Sequence, residues 1–153
     1  MAVQLVPMPV DRVSEWIVRS NAEYVESRVQ AGESREDAQA SGDRSMRELF
    51  PDGRPLDSHR IFDVVADGTV VGYLWIGPKA EGLTDWWVWD VEIAPEHRRR
   101  GYAREAMRLG DDVARQLGAT SIGLNVFGYN TGAQALYESL GYAVRSTQMR
   151  KPL

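Results

Sequence analysis

The chain has 153 residues, 43% hydrophobic and 26% charged, which fits one domain (1–153) with a proper core and argues against a long disordered portion. It contains no cysteine, which removes disulfides, thiolate metal sites and thiol nucleophiles together and suits a reducing compartment. A formal charge of -4 and an isoelectric point near 5.2 disfavour nonspecific nucleic-acid binding, although nearly all the positive charge is arginine, Lys79 and Lys151 being the only lysines.

Val3 to Val6 reads as a first strand, stopped by Pro7 and Pro9. From Asp11 a helical pattern puts Val13, Trp16, Ile17, Ser20 and Tyr24 on one face, so a helix is expected over 11–31. Ser34 followed by Asp37 starts a second, weaker helix running to Leu49 and Phe50, where Pro51 ends it. Its polarity and internal Gly42 suit either an exposed lid or an element that grips a substrate. His59 to Ala66 and Thr69 to Ile76, joined by Asp67-Gly68, carry a strong hairpin signal, and a third strand follows over Asp85 to Ala94. These three should form an antiparallel meander.

Beyond that strand, Ala103, Ala106, Met107, Gly110, Val113, Ala114 and Leu117 share one helical face, and Gly118 ends the helix. Ser121 to Val126 is a compact apolar strand. Asn130 can cap a short helix with Ala133, Leu136, Tyr137 and Leu140 inside, and Tyr142 to Met149 is expected to close the chain as a final strand. The order predicts an α/β fold, antiparallel early, with a parallel right-handed strand-helix-strand crossover late.

No apolar run approaches the roughly 18 residues of a membrane span, and Met1 to Val10 lacks a basic region before an apolar core, so no membrane partner and a cytoplasmic location are expected. Walker, dinucleotide, serine-elbow and zinc-protease motifs are all missing. His59 and His97 lack the partner cluster of a metal site or triad and read as packing or surface residues; no metal is expected.

One stretch stands apart. The strand TDWWVWDVEI runs into a Pro-and-Arg loop and then Arg98-Arg99-Arg100-Gly101-Tyr102-Ala103-Arg104. Small residues at the first turn of a helix let a phosphate approach the backbone, where successive N–H groups and the guanidinium groups can hold one pyrophosphate. A basic localisation patch is the plain alternative, but it leaves the Gly and Ala spacing unexplained.

The segment Arg98-x-x-Gly101-x-Ala103 after Trp86 to Ile93 resembles the acetyl-CoA pyrophosphate loop of the GCN5-related N-acetyltransferase (GNAT) superfamily. The later segment Asn130-Thr-Gly-Ala133-Gln-Ala-Leu136-Tyr137-Glu-Ser-Leu-Gly141-Tyr142 is similar to the second signature of that family, and the element order matches over nearly the whole chain. The resemblance implies a mostly antiparallel central sheet flanked by helices, with splayed strands at the cofactor site and acetyl-CoA as acetyl donor. Backbone groups near Val91 and Ile93 would bind the pantetheine arm and polarise the acetyl carbonyl, residues 98–104 the pyrophosphate, and Asn130 and Ala133 the cofactor from the other side. Tyr137, otherwise a core aromatic, would also contact the cofactor and protonate the leaving thiolate.

The base is open. Asp90 and Glu92 should share one face of their strand, opposite Val91 unless a bulge intervenes, and each is a candidate base or simply an ion-pair or surface residue. Asn125 stands where relatives of the ribosomal-protein type resemble a glutamate, which argues against that base. Only one strand fits after the short helix, so the acceptor wall is expected from elsewhere, a second subunit of a homodimer included. Trp75, Trp86, Trp87, Trp89 and Tyr24 are candidates within the chain, and positions 86 and 87 must face opposite ways. The reading is direct acetyl transfer to a primary amine, of a small molecule or a peptide; the competing one is a noncatalytic acyl-CoA-binding or sensor module.

Overall fold

Hairpin chemistry at Asp67-Gly68 and alternating apolar residues build the meander, and the computed structural model, which describes residues 2–153, extends it to a five-stranded sheet. The strands are β1 (Val3–Pro7), β2 (Arg60–Ala66), β3 (Thr69–Pro78), β4 (Asp85–Ile93) and β5 (Ser121–Leu124), lying in that order. The first four are antiparallel; β5 joins β4 in parallel after the crossover helix α3 (Tyr102–Gln116). The fold is thus α/β, with a mostly antiparallel sheet and helices on both sides.

α1 (Val10–Gln30) and α2 (Arg35–Leu49) cover one face. Trp16 meets Phe50, Tyr73 and Trp75 edge to face at centroid distances of 5.5 to 5.9 Å, making an aromatic core on that side. Ser34 caps α2 by accepting from the Asp37 N–H at 3.1 Å, and Ala38 and Gly42 are buried, which explains how a polar segment holds its place. α3 and the short α4 (Thr131–Ser139) lie over the opposite face, where Leu74, Ile76, Trp86, Val88, Ile93, Ala106 and Met107 form the larger core. Each large apolar side chain buried there contributes about 1.5 to 3 kcal/mol. Among the described residues no helix is long and apolar enough to cross a membrane.

Two departures from the expected pattern matter. The register between β3 and β4 shifts so that Trp75 pairs with Asp90 but Ile76 with Val88, leaving Trp89 as an extra, bulged residue. Strict alternation would carry Trp86, Val88, Asp90 and Glu92 on one face. The bulge instead keeps Trp86, Val88, Val91 and Ile93 toward α3 and turns Trp89, Asp90 and Glu92 toward α1. Trp86 and Trp87 do diverge: Trp86 is buried in the α3 core, while Trp87 lies over Gly123 and under the Lys79 ammonium, 4.6 Å from its ring.

The second departure is a correction. The expected final strand over Tyr142 to Met149 does not form; beyond Tyr142 the segment is exposed and pairs with no strand among the described residues. A strand needs a neighbour's edge in register, and β5 offers only four residues before it ends at Leu124, two short of the expected Val126. With Val144 76% and Met149 93% exposed, no buried face compensates for ordering this segment against so short an edge.

Candidate active site

β4 is the element on which both halves of the site meet. Its pairing with β5 ends at Val88 opposite Leu124, so from Trp89 to Ile93 that edge has no strand neighbour. The expected splay is present, and Val91 and Ile93 lie along the open edge. A 3₁₀ turn, Pro95–His97, follows, and the Arg98 side chain folds back so that Nε donates to the Ile93 carbonyl at 2.8 Å. Its Nη2 lies 3.6 Å from Glu92 Oε1.

Arg99 and Gly101 both take positive φ, 62° and 80°, and Gly101 is the residue from which α3 starts. An alternation of this kind curls the chain so that successive amides face one concavity. The first amide of the helix taken up internally is that of Glu105, which donates to the Gly101 carbonyl at 3.1 Å; none of the amides from Arg99 to Arg104 donates to a backbone carbonyl among the described residues. These free N–H groups border a cavity of about 280 Å³ lined by Ile93, Arg98, Gly101, Ala103 and Arg104, with Leu136 of α4 on the far wall. Arg104 Nη2 donates to Ser139 Oγ at 2.7 Å and ties α3 to α4 across it.

Asn130 caps α4, its Oδ1 accepting from the Ala133 N–H at 3.2 Å. Tyr137 is half-buried on the inner side of α4, edge-on to Tyr142 at 5.9 Å. Burial, and after it the negative charge of Asp90, holds its hydroxyl protonated above the usual tyrosine value.

On the α1 face three carboxylates converge on one hydroxyl. Tyr73 Oη lies 3.0 Å from Asp90 Oδ2, 3.1 Å from Glu92 Oε2 and 3.2 Å from Glu23 Oε2. Ser20 Oγ donates to Asp90 at 2.6 Å. Burial raises the Asp90 carboxyl above its usual range, with Ser20 and Tyr73 pulling it back. Glu23 is pushed up to about 7, first by burial and then by its hydrogen bond with Glu92 and the Glu92 charge. The Tyr73 hydroxyl is likewise held far above the usual range, by burial and then by the three acids around it.

Trp75, Trp89 and His59 form the wall beside this cluster. Trp89 stacks on Trp75 at 5.5 Å and lies 5.5 Å from the His59 ring, and Trp75 Nε1 donates to His59 Nδ1 at 2.9 Å. His59 is a packing residue, as its isolation in the sequence indicated. Of the expected cofactor-loop residues from Arg98 to Arg104, all but Arg100 line the cavity; Arg100 lies on the same turn without lining it. Asp90 and Glu92 do share a face. The sequence pattern does not mark Glu23, Tyr73 or Ser20 as chemistry; helical periodicity puts Ser20 on the buried face of α1, and a buried Ser opposite an acidic strand is the signal it offers.

These features define an acyltransferase of one family. The model of the GNAT family of acetyltransferases matches residues 23–142, and the chain belongs to that family. It is 29% identical over its whole length to the uncharacterized N-acetyltransferase YycN of Bacillus subtilis (strain 168), with all of both chains covered. The crystal structure of YycN superposes with a TM-score of 0.89 over 99% of each chain. Streptothricin acetyltransferase of Streptomyces lavendulae is 32% identical over 66% of this chain and 59% of its own length.

Proposed function

We propose that this chain moves an acetyl group from acetyl-CoA directly to a primary amine that enters as a cation from the α1 face. One observation carries the reading: the unpaired edge of β4 from Trp89 to Ile93 has free helix N–H groups at one end, a tyrosine hydroxyl on one face and paired carboxylates on the other. Bound acetyl-CoA would supply an activated thioester. Amides from Arg99 to Arg104, with their guanidinium groups, hold its pyrophosphate. Backbone groups of Val91 and Ile93 orient the arm and the carbonyl, and a fixed N–H aimed at developing negative charge is worth several kcal/mol.

Asn130 and Ala133, at the start of α4, hold the donor from the far side. Tyr137, kept protonated by burial, gives its proton to the thiolate. Asp90 or Glu92 attracts the ammonium and takes its proton. The names of the Streptomyces relative and of an Arabidopsis thaliana relative, the catalytic subunit of an N-terminal acetyltransferase B complex, support an amine of either a small molecule or a peptide as acceptor.

Calorimetric titration with acetyl-CoA, followed by thiol release against a panel of amines, tests the reading. Gly101→Ala should weaken acetyl-CoA about tenfold, because a Cβ at φ 80° costs about 1 to 2 kcal/mol, and a turn that relaxes to relieve this moves the amides proposed to face the pyrophosphate. Unchanged affinity in that variant, or no acetylated amine with any acceptor, contradicts it.

A further inference from the structure

We propose that Glu23 is the outlet by which the acceptor's proton reaches solvent, passed on from Asp90 or Glu92 through the Tyr73 hydroxyl. This rests on the acetyl-transfer reading. Glu23 does not touch the reacting atoms; it is a positioning residue that acts through Tyr73.

The chemistry requires an outlet. An ammonium R–NH₃⁺ loses one proton to a carboxylate, and its freed lone pair forms the C–N bond as the C–S bond breaks. The thiolate takes the Tyr137 proton, and the second amine proton restores Tyr137. One proton per turnover is left on the Asp90–Glu92 pair and must leave before the next cation can be received.

The geometry supplies the path. A tyrosine hydroxyl has one hydrogen to donate and lone pairs to accept, yet Tyr73 Oη has carboxylate oxygens at 3.0, 3.1 and 3.2 Å. It can donate to only one of them, so a second carboxyl approaches that closely when it carries its own proton and donates to Tyr73. That is a hand-over arrangement: Tyr73 accepts from a protonated Asp90 or Glu92 while giving its hydrogen to Glu23, and never ionises. Solvent access grows in the same direction, from the largely buried Asp90 to Glu92, whose side chain is 32% exposed, and Glu23, 44% exposed.

The groups facing this cluster come from every element around it. Arg19 on α1 lies 3.9 Å from Glu23 and over the Tyr73 ring; Arg98 lies 3.6 Å from Glu92; Tyr137 on α4 feels Asp90. On α2, Asp43 is taken by Asn21 and Gln39. The elevation of Glu23 to about 7, by burial and then Glu92, sets the sign: below that value Glu23 is protonated and the outlet is closed, above it the outlet is open.

The test is the pH profile of kcat, with acetyl-CoA and an amine acceptor saturating, for the wild type, Glu23→Gln and Tyr73→Phe, since a proton that leaves after acetyl transfer limits the next cycle. The wild type should lose activity below pH about 7; both variants should fall tenfold or more, lose that limb, and regain turnover with a small diffusible base such as imidazole. A Glu23→Gln enzyme with the wild-type profile overturns the proposal. Carbon-13 titration of the glutamate carboxyls in the intact protein gives a reading that needs no turnover. Glu23 should titrate near 7 and drop in Glu92→Gln; a Glu23 midpoint in the ordinary range, indifferent to Glu92, refutes the shared-proton cluster even if no amine is found and the acetyl-transfer reading itself fails.

Discussion

Gly72 is the position where one added methyl group should do the most damage next to the site. It sits on β3 opposite Ile93, and a Cβ built there would lie 2.0 Å from the Glu92 carbonyl oxygen and 2.9 Å from Ile93 Cδ1. Non-bonded heavy atoms settle at about 3.5 Å or more, so the two strands would have to part by more than about 1 Å. The Ile93 tip can rotate away, but the Glu92 carbonyl belongs to the backbone of a paired strand. Overpacking costs about 1 to 3 kcal/mol, and a backbone obstacle puts Gly72→Ala at the upper end, a loss of about 6 to 12 °C in Tm for a domain of this size. Gly132→Ala is the control: nothing lies within 4 Å of its Cβ, and alanine favours the first turn of α4, so its Tm should stay level or rise slightly. Thermal melts of the two variants decide the matter. A Gly72→Ala protein melting within about 2 °C of the wild type would refute the close-approach argument.

Glu23 makes a stability prediction separate from its proposed part in proton release. Its native value of about 7 lies above the ordinary 4.5, so the folded state holds the extra proton between those values; the stabilisation is full below 4.5 and lost as pH rises through 7. The displacement corresponds to about 3 kcal/mol, which screening at a side chain 44% exposed reduces to about 1 kcal/mol. Glu23→Gln should therefore melt about 2 to 4 °C higher than the wild type at pH 8, with most of the gain gone at pH 5; equal gains at both would sink the argument. Tyr137→Phe keeps the ring packing and removes the thiolate's proton donor, so kcat should fall about 10² to 10⁴-fold with little change in Tm, and unchanged turnover at every pH would remove Tyr137 from its role. His59, buried and accepting from Trp75, is held below its usual 6.5 by burial, against the pull of Glu81 and with a smaller push from Arg60. Its stabilising contribution is present above 6.5 and lost as pH falls through the lower native value, so Tm should decline as pH falls below 6.5, with a change in tryptophan emission; an imidazole NMR midpoint above 6.5 contradicts this.

The parts of the site legible in the sequence are those whose signal is local. Gly101 and Ala103 at the head of a strongly amphipathic helix mark the turn proposed to seat the pyrophosphate, because small residues and free amides there are a property of one turn of chain. The Asp67-Gly68 hairpin, the Ser34 cap and the divergence of Trp86 from Trp87 follow equally from short-range geometry. Glu23 carries no local signal, because on α1 it is an ordinary acidic residue one turn from Arg19. Its meaning comes from α1 crossing the sheet so that Ser20 meets Asp90 and Glu23 meets Tyr73, 50 residues apart in sequence.

The sequence by itself determined the order of elements, the family resemblance, the glycine-containing turn at the head of α3 and the candidate carboxylates, since each rests on spacing within a dozen residues or on two motifs at a set separation. Only the tertiary structure decided what those carboxylates face. The bulge at Trp89 depends on how β3 and β4 settle their register, and it sends Asp90 and Glu92 to the α1 side while Val91 stays on the other. The missing last strand was decided in the same way, by an edge of β5 too short to pair with it. Register and edge pairing are contests between distant segments for the same hydrogen-bonding groups, and no local pattern records which one wins.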